Sequence, residues 1–395
     1  MSDTIQPVRR RRLWPVLIMP AILIVAAVAW SAFWFIAASK VDETVDAWRA
    51  REASSGRVYD CADRSVGGYP FRFEVRCTDA SVTLVGQTAS AADQPVTAKL
   101  GEILIVAQAW DPKRMIAEFT APATLSVNNQ PMMSVNWSLA QASVYGLPDV
   151  PQQGSIVFDN AEVDRISSTV QSPALRAKRI ELHGRIAASS TPERPVIEAV
   201  LQLTAGSVLD IHPLLEKPFD ADIRGLVSGL KDFSPKPWPQ RFREIQANGG
   251  RVEITQSRIQ QGDVISISKG SLGFTAAGNL DGELQMTVAG IEKIIPVLGL
   301  ERVLQEGVPQ ATLDRLAPGV KTKDVNNLLG ALDRAIPGLA NMVRQNANVG
   351  LVAGINALGK ETMLEGKKAR EFPLRFVDGA VFLGPIRVGQ IPPLF

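Results

Sequence analysis

Residues 179–186 read Arg179-Ile180-Glu181-Leu182-His183-Gly184-Arg185-Ile186, and residues 197–203 read Ile197-Glu198-Ala199-Val200-Leu201-Gln202-Leu203. In the first stretch Ile180, Leu182, Gly184 and Ile186 alternate with charged or polar neighbours. In the second, Ile197, Ala199, Leu201 and Leu203 keep the same phase. Side chains of a strand point alternately to its two faces, so a period of two means strands with one apolar and one wet face.

The pattern extends in both directions. Met133, Val135, Trp137 and Leu139 alternate with Ser134, Asn136 and Ser138, and Val252 and Ile254 follow the rule, as do Leu284, Met286 and Val288. Ile103 to Val106 is a continuous apolar run, which predicts a strand covered on both faces. Turn chemistry separates these runs at Asn128-Asn129, Gly278-Asn279 and Asp281-Gly282. Ten or more strands in this order predict an α+β, mainly β fold with an extended antiparallel sheet, shaped as a groove, a sandwich or a partial barrel. The stretch Ser234-Pro235-Lys236-Pro237-Trp238-Pro239 should be loop or polyproline-like, dividing a β-rich region at 56–233 from a second at 234–290. After Gly290 the period becomes helical, with Val325, Leu328, Leu329, Leu332, Ile336, Leu339, Met342 and Val343 on one face. A helical region over 291–370 is therefore expected to pack on the sheet, followed by C-terminal strands and a tail over 371–395.

The N-terminus is of a different kind. Arg9, Arg10, Arg11 and Arg12 form a basic arm within residues 1–12, and Leu13 to Ser39 then carries no charge. A helix of that length exceeds a bilayer core of about 30 Å. Trp14 at one end and Trp30 and Trp34 near the other match an interfacial aromatic belt, and the arginines mark the cytoplasmic side. The reading is a single-pass anchor at 13–39 in a bacterial inner membrane, with the bulk periplasmic and a helical stalk at 40–55. A cleavable signal peptide and a buried core helix are the alternatives, and the apolar stretch is long for the former.

Charge agrees with this division. The chain has 42 basic and 40 acidic residues. The first 39 residues hold four arginines and one aspartate, which leaves 38 basic against 39 acidic residues beyond them, a net −1. A body this close to neutral has no footprint for nucleic acid, and no nucleic-acid partner is expected.

Cys61 and Cys77 are the only cysteines, and Gly67-Gly68-Tyr69-Pro70 between them is turn chemistry. A hairpin centred near Tyr69 would set them opposite each other, and an oxidising compartment would allow a disulfide. Two free buried thiols are the alternative. Two thiolates with no histidine nearby do not make a zinc site.

Other chemistry is thin. His183 lies on the polar side of a strand pattern and His212 precedes Pro213, neither with metal-motif spacing. Gly354-Ile355-Asn356-Ala357-Leu358-Gly359-Lys360 approaches a phosphate loop, but Glu361 stands where magnesium coordination needs a hydroxyl. It reads as helix end and turn. Asp159, Asn160, Glu162 and Asp164 lack the frame of a calcium loop, and like Asp220 and Asp222 they read as solvated faces. No catalytic, metal or cofactor residues are assigned.

Three stretches carry a resemblance: Gly68-Tyr69-Pro70-Phe71-Arg72-Phe73, the segment from Asn248-Gly249-Gly250 to Gly290-Ile291-Glu292, and the tail Phe372-Pro373-Leu374-Arg375-Phe376-Val377-Asp378-Gly379. With the anchor, they resemble the alphaproteobacterial domain-of-unknown-function family 2125, and more loosely AsmA-like envelope proteins. The first resemblance implies no activity. The second implies inner-membrane proteins with periplasmic β-sheet grooves linked to lipid homeostasis. The expected function is a membrane-anchored binding or scaffold protein, handling lipid or another amphipathic ligand. An adapter docking an envelope protein through its helices, and an envelope hydrolase with a dispersed site, are the alternatives.

Overall fold

The computed structural model describes residues 14–85, 95–147, 149–167, 170–211, 213–233, 238–293, 359–383 and 386–395. The basic arm, the apolar helical pattern at 325–343, most of the phosphate-loop-like stretch and His212 lie outside the described residues.

Helix α1 runs unbroken over Trp14–Ser54, so anchor and stalk are one rod of 41 residues. Eighteen strands follow, all in one sheet. The first nine are β1 (Arg57–Asp60), β2 (Asp63–Gly67), β3 (Arg72–Leu84), β4 (Val96–Gln108), β5 (Asp111–Val127), β6 (Gln130–Asn136), β7 (Leu139–Tyr145), β8 (Gln153–Ser167) and β9 (Val170–Ile186). The rest are β10 (Ile197–Val208), β11 (Phe219–Val227), β12 (Val252–Gln261), β13 (Val264–Phe274), β14 (Leu280–Ala289), β15 (Lys360–Leu364), β16 (Lys367–Val377), β17 (Ala380–Leu383) and β18 (Ile386–Gln390). Short helices α2 (Pro213–Glu216) and α3 (Trp238–Ala247) join β10 to β11 and β11 to β12.

Every pairing is antiparallel, and sequential strands are neighbours almost throughout. Three places depart from a simple meander. β1 and β2 lie end to end on one side of β3, β6 and β7 share the gap between β5 and β8, and β15 and β17 share one side of β16, whose other side takes β14. Among the described residues the outer strands do not pair with each other, so the ladder is an open sheet.

Several sequence expectations are corrected. β11 pairs directly with β12, so the β-rich regions on either side of residue 234 form one continuous sheet. Trp238 and Pro239 open α3 rather than continuing a loop, as suits a proline in the first helical turn. Asp281 and Gly282 lie inside β14, paired with Gly273 and Leu272, so they are strand and not turn. Residues 360–370, expected to be helical, form β15 and the start of β16. Met133 to Leu139 is two strands, not one, with the break at Trp137-Ser138. Ile103 to Val106 is half-exposed on both faces, because among the described residues β4 packs chiefly against β3 and β5 in its own sheet.

The best-packed region surrounds β13 to β16. Ile265, Ala289, Leu364 and Ala369 form one buried cluster. On the opposite side Phe372, 1% exposed, is the largest fully buried side chain. Truncating such a residue removes its transfer energy and leaves a cavity. Phe372→Ala should therefore cost about 3–5 kcal/mol, read as a lowered urea midpoint in mild detergent.

Candidate functional site: an apolar sheet face joined to helix α1

Residues directly paired across a ladder share a face, so the register fixes what each face carries. From Val66 the row runs through Val75, Ile105, Ala117, Ala142, Ile156, Leu182, Leu201 and Ile223, then Ser257, Ser268, Met286 and Phe372. All but two are apolar. At roughly 4.8 Å per strand the row spans about 58 Å. Few side chains on this face are buried, and Leu182 (43% exposed), Leu201 (38%) and Ile259 (38%) are open to solvent.

The next row on the same face is smaller. Gly154, Gly184, Ala199 and Gly225 are consecutive cross-strand partners. Beyond them Ile186, Ile197, Val227 and Val252 rise again. The small residues thus floor a trench across β8 to β11 with branched aliphatic walls.

The apolar face survives a line of irregularities that crosses the strands. Asp79 (φ 48°), Asn160 (φ 51°) and Ala205 (φ 48°) take left-handed conformations in β3, β8 and β10. The β4–β5 register shifts between Leu100 and Glu102, and the β6–β7 break falls at the same level. Such irregularities bend a strand and reset its alternation. Beyond the line, Ala80, Leu100, Ala123, Val135, Val163, Leu175 and Val208 form a second apolar row. Trp137 joins the two blocks, its ring 5.7 Å from Phe158 and its Nε1 donating to the Phe119 carbonyl at 2.8 Å.

Across β5 to β12 the other face is mostly polar and internally paired, whereas over β13 to β16 it carries the buried cluster around Ile265 and Ala289. Glu118, Gln141, Glu181, Gln202, Asp222 and Arg258 lie along one row of it. Arg179 bonds Asp159 at 2.6 Å and also pairs with Glu181, which holds the Glu181 carboxyl below its ordinary range. Arg224 does the same to Asp222. His183 Nε2 lies 3.1 Å from the Glu181 carboxylate, beside a shallow cavity of about 610 Å³ lined by Arg114, Tyr145, Arg185 and Arg224. Of the acidic residues noted in the sequence, Asp159 and Asp164 are paired with Arg179 and Arg176, and Asp220 accepts from the Ala205 amide at 2.8 Å. Among the described residues no three His, Cys, Asp or Glu side chains gather as a metal site.

Helix α1 docks at the first edge. Trp34 stacks on Phe73 at 5.6 Å with Ala109 beside it, and Trp30, Ala37, Ala38 and Val41 pack on this cluster. Farther along, Trp48 meets Tyr59 at 4.6 Å, and Arg49 donates to the Tyr59 carbonyl at 2.9 Å. Arg64, directly opposite Cys77 in the ladder, reaches Asp42 at 2.8 Å and Asp46 at 2.7 Å on the helix.

Cys61 and Cys77 are joined by a disulfide, with Cα atoms 5.4 Å apart. They are not ladder partners, as a hairpin centred on Tyr69 would have made them. The β2–β3 register puts Arg64 opposite Cys77, and Cys61 reaches it from the corner between β1 and β2. Spacing alone could not show that corner. Nor does the sequence single out Arg64, whose signal is a lone arginine between two strand-like runs with Asp42 and Asp46 one helical turn apart upstream.

These features have a counterpart in known sequences. Residues 34–392 match a family described as "uncharacterized protein conserved in bacteria (DUF2125)". The chain belongs to this family. The match begins at Trp34, where α1 first buries a side chain, so the DUF2125 region takes in the helix–sheet contact as well as the sheet. No curated protein and no solved structure matches the chain.

The Arg64 hydrogen bond holds the Asp46 carboxyl below its ordinary value. A lowered folded value means the contact contributes fully above the unfolded value and is lost as pH falls through the folded one. The protection of amides in helix residues 40–52, corrected for the intrinsic pH dependence of exchange, should therefore be unchanged near neutral pH and fall only once pH drops below the ordinary carboxylate value of about 4. Arg64→Ala should lower that protection at neutral pH by no more than about fivefold, measured by mass spectrometry.

Proposed function

We propose that this protein is an inner-membrane-anchored binding protein of the bacterial cell envelope that holds lipid or another amphipathic ligand on its apolar sheet face. The observation that carries this reading is the apolar ladder from Val66 to Phe372 with leucines left open to water. An antiparallel sheet normally packs one face on a core, and large open apolar patches mark interaction surfaces. The trench over Gly154, Gly184, Ala199 and Gly225 offers an apolar floor and branched aliphatic walls to an acyl chain. A phospholipid bound there would keep its headgroup at the rim and its chain on the aliphatic walls.

Placement has its own support. α1 is long and apolar enough to cross a membrane. The basic run Arg9 to Arg12 precedes it, which favours a cytoplasmic N-terminus with the sheet on the other side. The disulfide suits an oxidising compartment. On the polar face arginines already engage Glu181 and Asp222, and groups held this way serve solubility and register rather than proton transfer. We read the protein as a binder and not as an enzyme.

Native mass spectrometry on the full chain, extracted in mild detergent, tests this. Bound lipid is expected to co-purify. Leu182→Lys with Leu201→Lys, a directly paired set on the open face, should lower lipid retention several-fold with little change in melting temperature. Gln202→Lys on the polar face should leave retention unchanged. Absence of any retained lipid in the unaltered chain, or equal retention in the double variant, would remove the lipid reading and favour a protein-docking role.

A further inference from the structure

We propose that the tips of the β2–β3 and β4–β5 hairpins sit in the headgroup layer of the bilayer that α1 crosses, so that the apolar face begins at the membrane surface. The proposal rests on α1 spanning the membrane, and it follows from where the helix meets the sheet. The uncharged window is Leu13 to Ser39. A core of about 30 Å takes about 20 helical residues, so its outer boundary falls between about residues 32 and 39 wherever the window is placed.

The β2–β3 tip is bonded to the helix at or inside that boundary. Ser31 Oγ lies 2.7 Å from the Tyr69 hydroxyl, and Trp30 Nε1 donates to the Pro70 carbonyl at 2.9 Å. Trp34 Nε1 donates to the Arg72 carbonyl at 3.0 Å, and Phe35 stacks on Tyr69 at 5.6 Å. A segment held to Ser31 cannot stand off in water while Ser31 is in the membrane.

The chemistry of the tips fits that depth. Phe71 (61% exposed) and Trp110 (62%) present their rings outward 6.5 Å apart, and Tyr69, packed on the helix, remains 51% exposed. Aromatic rings with polar handles are the residues that favour the bilayer interface. Charged residues follow at once: Arg72 pairs with Glu74 at 2.5 Å, and Lys113 pairs with Asp149 at 3.1 Å. They limit penetration to the headgroup layer. Phe73, Ala107 and Met115 are ladder neighbours just behind the tips, on the apolar face. The face therefore opens toward the bilayer without an intervening polar turn of its own strands.

Spin labels on Phe71→Cys and Trp110→Cys test this in the full chain, with the native disulfide kept oxidised, in vesicles of phosphatidylethanolamine and phosphatidylglycerol. Collision with oxygen, which partitions into lipid, is compared with collision with a water-soluble nickel chelate. Leu23→Cys on α1 reports the membrane interior, and Met363→Cys, 62% exposed on β15, reports water. Labels at 71 and 110 should favour oxygen several-fold more than the label at 363. Nickel access at 71 and 110 equal to that at 363, with Leu23 embedded, would overturn the proposal. Shielding from both reagents would mean protein cover and would overturn it too. Nickel access at Leu23 would remove the spanning helix and the proposal with it. Lipid retention at Leu182 and Leu201 is read separately, so the two proposals fail independently.

Discussion

The stacking of Trp34 on Phe73 is the contact on which the remaining architecture depends. It joins α1, which is long and apolar enough to cross a bilayer, to the first long strand of the sheet. Trp34 is 4% exposed in a helix whose preceding apolar residues are open to their surroundings. The helix thus changes role at this point, from a surface suited to lipid to a surface packed on protein. Below it the Tyr69 and Pro70 bonds fix the height of the sheet's edge, and above it Arg64, Arg49 and Trp48 fix the direction of the rod. A flexible stalk would let the sheet turn either face to the membrane. This docking leaves the apolar face beside the helix, because Phe73 and its ladder neighbours belong to that face.

A sheet this wide needs a reason not to aggregate or collapse. Its polar face supplies one, through arginine–carboxylate pairs between adjacent strands that stay partly solvated and cancel each other's charge. Exposed pairs of this type add little stability each, about 0–1 kcal/mol. Their effect is on register, since a one-residue slip would break these pairs and carry the leucines to the polar face. Both faces therefore oppose the same error. The near-neutral body found from the sequence is the sum of these local cancellations.

Alternation was legible because a period of two survives without any tertiary knowledge: the apolar residues of β9 and β10 were placed on one face before their pairing was known. The continuity of that face across Asp79, Asn160 and Ala205 was not legible. Each is a residue in left-handed geometry in mid-strand, where sequence gives only an aspartate, an asparagine and an alanine of unremarkable context. Trp137 and Leu139 show the cost. They share a phase on paper, yet the break between them sends Leu139 to the polar side, opposite Asp159. Asp281-Gly282 failed for the opposite reason, because turn-forming residues were overridden by pairing on both sides with β13 and β16. The cysteines were paired correctly from a wrong register, since a disulfide needs only nearby Cα atoms and not ladder partners.

The line of irregularities bears on the binding reading as well. A regular strand of the length of β8 or β9 would be straight apart from its twist, and a wide straight sheet exposes its apolar face evenly. Bulges and left-handed residues at one level let the two blocks incline toward each other while their apolar rows stay on the same side. Trp137, donating to β5 and packed on Phe158 of β8, sits on that line and braces it. Among the described residues the face is thereby shaped by backbone geometry rather than by a second layer of protein. The proposed apolar ligand could then cover and leave such a face without unfolding the sheet.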